Sequence, residues 1–195
     1  MADVFADFPE LLLEGIILQK EVLAHFGLLF SGYALLEAAL QNCYVFWQLR
    51  RLHLGGKIAS EDEWRAHYDT LEEKAFGSTF GSLLKLLSDC PDLANSFGEL
   101  RSLKKGRDYF AHHFFREEND KMFSDDAALT LIHRMSLLRA RVKKSENAAD
   151  AVAHHIFKSM YPQVDMEQKL AETMSQMKAA AVANPSKTFG WESNQ

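Results

Sequence analysis

The sequence predicts an all-α protein, a bundle of roughly six or seven helices. Three observations predict it. Apolar residues recur at spacings of three and four, as in Phe26, Phe30, Tyr33, Leu40 and Tyr44. No run of four to eight residues alternates apolar with polar as a half-buried strand would. Between the periodic segments stand helix breakers and starters, among them Gly55-Gly56, Ser60, Pro91, Ser124 and Pro162.

Each element has a local reason. Pro9 suits the first turn of a helix to about Lys20, and the apolar runs Leu11–Leu13 and Ile16–Leu18 demand cover on more than one side, as in a docking or dimer-facing helix. A long helix follows from Glu21 to about Leu52, with Glu37 set in its apolar stripe. A carboxylate there carries a desolvation cost that an arginine can offset. Leu54 to Lys57 end it. Ser60 with Glu63 is a capping-box start for a helix to about Lys74, and Thr79 to about Ser88 is a short amphipathic one. Asp89 and Pro91 start a helix with the stripe Leu100, Leu103, Phe110 and Phe114, in which Gly106 invites a kink. Ser124, Asp125 and Asp126 open another, through Leu129, Ile132, Leu137, Leu138 and Val142, weakest at Lys144–Asn147 and stopped by Pro162. A last helix over 165–183 is rich in Met and Ala. The expected organisation is one domain over 1–184 and a mobile tail over 185–195.

Length and composition limit the function. At 195 residues, 47% hydrophobic and 25% charged, the chain can bury one proper core. A net charge of -5 argues against a general polyanion binder, although Arg101, Lys104, Lys105 and Arg107 form one basic cluster and Arg134, Arg139, Arg141, Lys143 and Lys144 another. Cys43 and Cys90 lack ligand spacing and read as reduced, buried thiols. The N-terminus lacks the basic flank and apolar run of a signal peptide, and no window of about 18 residues is uninterruptedly apolar. A cytoplasmic protein with no membrane association is expected.

The densest chemistry lies in Leu103–Glu117, which contains Arg107-Asp108-Tyr109-Phe110-Ala111-His112. This Arg-Asp-x-x-x-His core resembles the Arg-x4-6-His signature of the HEPN superfamily of helical domains, many of which are metal-independent ribonucleases. The resemblance extends over roughly residues 20–160, with an early long helix bearing an acidic residue, here Glu37, and a later helix bearing the motif. It implies a HEPN-like endoribonuclease of toxin or defence type, acting on RNA as a homodimer whose two motifs line one cleft. Arg107 would hold the scissile phosphate and stabilise its added charge. His112 would act as general base or acid while the 2′-hydroxyl attacks, and the product would carry a 2′,3′-cyclic phosphate. Asp108, four residues before His112, is placed to orient the imidazole. No cofactor or metal is required, and a cognate antitoxin protein is a further partner that the resemblance implies. Toxin members often carry, two positions after the histidine, a tyrosine that a nucleotidyltransferase partner modifies. Phe114 stands there, without the hydroxyl.

Other readings compete. In an ideal helix Arg107 and His112 lie roughly 140° apart, so they do not share a face, and Arg107 is equally placed to be a buried partner of Glu37. His112 and His113 diverge by about 100°, and His154 and His155 repeat the doublet. Glu21 with His25 and Asp150 with His154 have ligand-like spacing that charged helix faces produce freely. Phe110, Phe114 and Phe115 read as core or dimer contact before base-stacking platform. The alternative function is a non-catalytic helical module binding a protein or nucleotide.

Overall fold

The structure, a computed structural model, describes residues 17–164 together with residues 175, 176 and 179. Among these residues no strand occurs, and the regular structure is six α-helices with two 3-10 segments. They are α1 (Ile17–Leu54), α2 (Glu61–Phe76), α3 (Phe80–Leu86), α4 (Phe97–His112), α5 (Phe114–Glu118) and α6 (Asp125–Met160), with 3-10 turns at Pro91–Ser96 and Asn119–Phe123. The all-α bundle that the periodicity predicts is therefore present.

The start and stop signals act where the sequence puts them, with two adjustments. Ser60 accepts a hydrogen bond from the Glu63 amide at 3.2 Å, and the Glu63 carboxylate reaches back to the Ala59 amide at 2.7 Å, one residue before the N-cap, in a variant of the capping box. Thr79 caps α3 through the Ser82 amide at 3.3 Å. Gly56, at φ +66°, supplies the left-handed residue that turns the chain after α1. Pro91 opens a 3-10 turn rather than the motif helix, and its cap position is Cys90 rather than Asp89. The motif helix α4 begins only at Phe97 and ends at His112, so Phe114 belongs to α5.

α1 corrects the expected division at Lys20 and Glu21. It is one helix of 38 residues: no Gly or Pro stands at Lys20 or Glu21, and Gly27 and Gly32 are carried within it without a break. It is long and apolar enough to cross a membrane by length and composition only. Leu29, Tyr33, Leu36, Leu40 and Leu49 of α1 are fully buried, and α2, α3 and α4 pack on it, so it is the spine of the core. Similarly, α6 passes through Lys144–Asn147 without a break and stops at Met160, two residues before Pro162. Two units divide the chain, Met1–Phe157 and Lys158–Gln195. The expected start at Pro9, and nearly all of the expected helix at 165–183 and tail at 185–195, lie outside the described residues.

Three helices cross where α4 carries Gly106. A Cβ at that position would lie 2.7 Å from the Tyr33 hydroxyl of α1 and 3.4 Å from Leu138 of α6. The glycine is thus a close-approach residue, and α4 runs through it as uninterrupted helix instead of breaking. Cys43 and Cys90 are free and buried, as their spacing implies.

Candidate functional site

Arg107 leaves α4 on the side that faces α1. Its neighbours in that stripe, Leu103 and Phe110, are buried, and its own side chain is 28% exposed. Glu37 on α1 meets it, with Nε 3.4 Å from the carboxylate oxygen. Burial pushes the Glu37 carboxyl above its ordinary value, and the Arg107 charge opposes that push. The pair is therefore formed, and it uses the Nε edge of the guanidinium. The nearest other acid is Asp108, 3.7 Å from Nη1 and beyond hydrogen-bond reach. Among the described residues neither terminal nitrogen makes a hydrogen bond within normal reach.

Asp108 does not make the expected contact with His112. Both Lys104 and His112 stand four residues from it, and its carboxylate reaches back to the Lys104 ammonium. A strongly hydrated ammonium is the permanent cation of the two candidates, so it wins the carboxylate. His112 is the last residue of α4 and is exposed, with no hydrogen bond or ion pair to another described residue. His113 differs: its Nδ1 lies 2.6 Å from Arg116 Nη2 and 3.3 Å from the Glu117 carboxylate. The doublet thus resolves into one bound and one free imidazole.

Of the aromatic group expected as core or dimer contact, Phe110 and Phe114 are buried, whereas Phe115 is 43% exposed. Phe26 lies 5.4 Å from Phe114, 4.7 Å from Phe115 and 6.2 Å from Phe110, centroid to centroid. These ring contacts hold α4 and α5 against α1.

A second polar cluster had no periodic signature in the sequence. Glu118 of α5 is buried and accepts from the Tyr109 hydroxyl at 2.6 Å, from Lys121 at 2.5 Å and from Arg134 of α6 at 3.3 Å. Burial alone would push its carboxyl up. The hydrogen bonds from Lys121 and Tyr109 and the nearby cations outweigh that and hold it below its ordinary value. Burial and the same bond push Tyr109 up to about 12. The cluster ties α4, α5 and α6 together behind the helix end that carries His112.

The fold brings Arg107 and Asp108 together and leaves His112 apart. Arg107 points toward α1, and His112 lies roughly 140° around the α4 axis from it. Among the described residues no group of three or more His, Cys, Asp and Glu side chains could hold a metal ion. No family model matches the chain, and no curated protein or solved structure matches it either.

Proposed function

We propose that this chain is a HEPN-like, metal-independent endoribonuclease of toxin or defence type that works as a homodimer. The observation that carries the reading is the contrast within one motif. Arg107 is held by Glu37 through Nε and has only a long contact from Nη1 to Asp108, while His112 is exposed and unengaged at the end of the same helix. A held guanidinium and a free imidazole are the two groups that RNA cleavage by its own 2′-hydroxyl needs.

In this reaction the 2′-oxygen forms a bond to the adjacent phosphorus as the P–O5′ bond breaks. The proton of the 2′-hydroxyl passes to the imidazole, and the leaving 5′-oxygen takes a proton from an acid. Arg107 compensates the charge that builds on the phosphoryl oxygens. Since the two residues stand on different sides of α4, His112 of one protomer meets Arg107 of its partner. Two-fold symmetry then gives the dimer two such pairs. Self-association has surface to draw on: Leu28 and Leu35, seven residues apart on one face of α1, are 47% and 55% exposed.

The basic residues favour a second reading, a non-catalytic module that binds a protein or nucleotide partner. Much of both basic clusters is already matched by acids: Arg141 by Glu99 at 2.9 Å, Lys143 by Glu146 at 2.8 Å, Arg134 by Glu118, and Lys104 by Asp108. Incubation of purified protein with mixed cellular RNA in EDTA separates the two. Cleavage leaving 2′,3′-cyclic phosphate ends, reduced at least about a hundredfold in His112→Ala, is expected of the ribonuclease. Intact RNA at micromolar protein would leave the binding module.

A further inference from the structure

The exposed side of α4 carries a pattern that the cleavage chemistry does not use. Arg101, Lys105, Asp108 and His112 follow one another at spacings of four, three and four, which puts them within about 60° of one another on the helix. Arg101, Lys105 and His112 are all exposed, and the buried Leu100, Leu103 and Phe110 lie off this stripe. From Arg101 to His112 the stripe measures about 16 Å along the axis.

The cations on it differ from most of those nearby, although Arg139 and Lys144 of α6 likewise meet no carboxylate among the described residues. Lys105 makes no ion pair or hydrogen bond with another described residue. Arg101 meets no carboxylate among the described residues and lays its guanidinium 5.8 Å over the Phe97 ring one turn back, a stacking contact that leaves its charge unmatched. By contrast Lys104, Lys121, Arg134, Arg141 and Lys143 each sit on a carboxylate. The single acid on the stripe, Asp108, is neutralised by Lys104 and approached by Arg107. In a chain of net charge -5, the stripe is thus a local strip of unmatched positive charge that ends at the free imidazole.

We infer that this stripe is the track of the RNA backbone, with Arg101 and Lys105 gripping phosphates that flank the one cleaved beside His112. The inference rests on the ribonuclease reading and adds positioning residues to it. A stacked strand advances about 3.4 Å per nucleotide, so the stripe is long enough for roughly five nucleotides. Contacts to phosphate alone fix register without reading sequence. Arg101 and Lys105 therefore set affinity and placement, and base preference arises elsewhere.

The test uses the full chain and a fluorescent 2′-O-methyl RNA oligonucleotide, which binds but cannot be cleaved, in anisotropy titrations across a salt series. Replacing Arg101 and Lys105 together by Gln should weaken binding about tenfold or more and flatten the slope of log K against log salt by about 1.4, or about 0.7 for each phosphate no longer neutralised. With a cleavable oligonucleotide the same variant should raise KM and leave kcat unchanged. Lys57→Gln, on the exposed turn after α1, should alter neither, and all variants should melt like the wild type because the side chains are exposed. An unchanged slope and KM in the double variant, with cleavage that still depends on His112, would overturn the track and leave the ribonuclease standing. Wild-type protein that neither binds nor cleaves would overturn both.

Discussion

Arg107 is a structural partner of Glu37 that the proposed cleavage also uses. A half-buried arginine whose Nε is held by a carboxylate has lost much of its rotamer freedom before any phosphate arrives. Arg107→Ala leaves Glu37 facing the interior without its cation, and we expect a loss of about 1–3 kcal/mol in chemical denaturation. His112→Ala removes an exposed ring, and its cost in the same experiment should stay within about 0.5 kcal/mol. The two residues of one motif thus separate by stability before any activity is measured. Half of this is legible in the sequence. Glu37 in an apolar stripe announces a need for an arginine, and Arg107 in another stripe is the matching half. The partner of Asp108 is not legible there, because spacing alone offers Lys104 and His112 equally and only the competition between them decides.

Among the elements, α4 is held from two sides by contacts of different kinds. On the α1 and α6 side the helices come together because residue 106 has no side chain. Gly106→Ala should cost about 1–3 kcal/mol through its encounter with the Tyr33 hydroxyl, and Tyr33→Phe should recover part of that loss by removing the clashing atom. A double-mutant cycle in urea measures the coupling. At its C-terminal end, α4 is tied through Tyr109 to Glu118. A carboxyl held below its ordinary value contributes stability that is fully present above the ordinary carboxylate range and is lost as pH falls through the lowered folded value. Thermal melts of Glu118→Gln should therefore show a lower midpoint at neutral pH, by about 1–3 kcal/mol of stability, and a smaller difference from wild type in strong acid. Glycine in a helix reads from sequence as a weakness, which is why a kink is the natural expectation at 106. What selects a glycine there is a tyrosine 73 positions earlier in the chain, and no local pattern reports that.

The described residues form a helical bundle whose class can be read from periodicity and in which Ser60, Thr79 and Gly56 mark the starts of α2 and α3 and the end of α1. The continuity of α1 and α6 is harder to see. An apolar segment without a breaker looks the same whether it is one helix or two, and polar runs such as Lys144–Asn147 are tolerated on a helix already packed on both sides of them. Assembly belongs to this scale as well. Leu28 and Leu35 present an apolar face on α1 that self-association would cover. Light scattering should give the mass of a dimer for wild type and of a monomer for Leu28→Glu with Leu35→Glu.

The proposed cleavage needs a site that neither protomer completes alone, and co-expression of differently tagged Arg107→Lys and His112→Ala chains tests that most directly. Each homodimer should be inactive on RNA in EDTA. The purified heterodimer should recover about half of wild-type cleavage, because one of its two symmetry-related sites regains both an Arg107 and a His112. A heterodimer as inactive as its parents, beside an active wild type, would contradict a site shared between protomers, and an inactive wild type would contradict the ribonuclease itself.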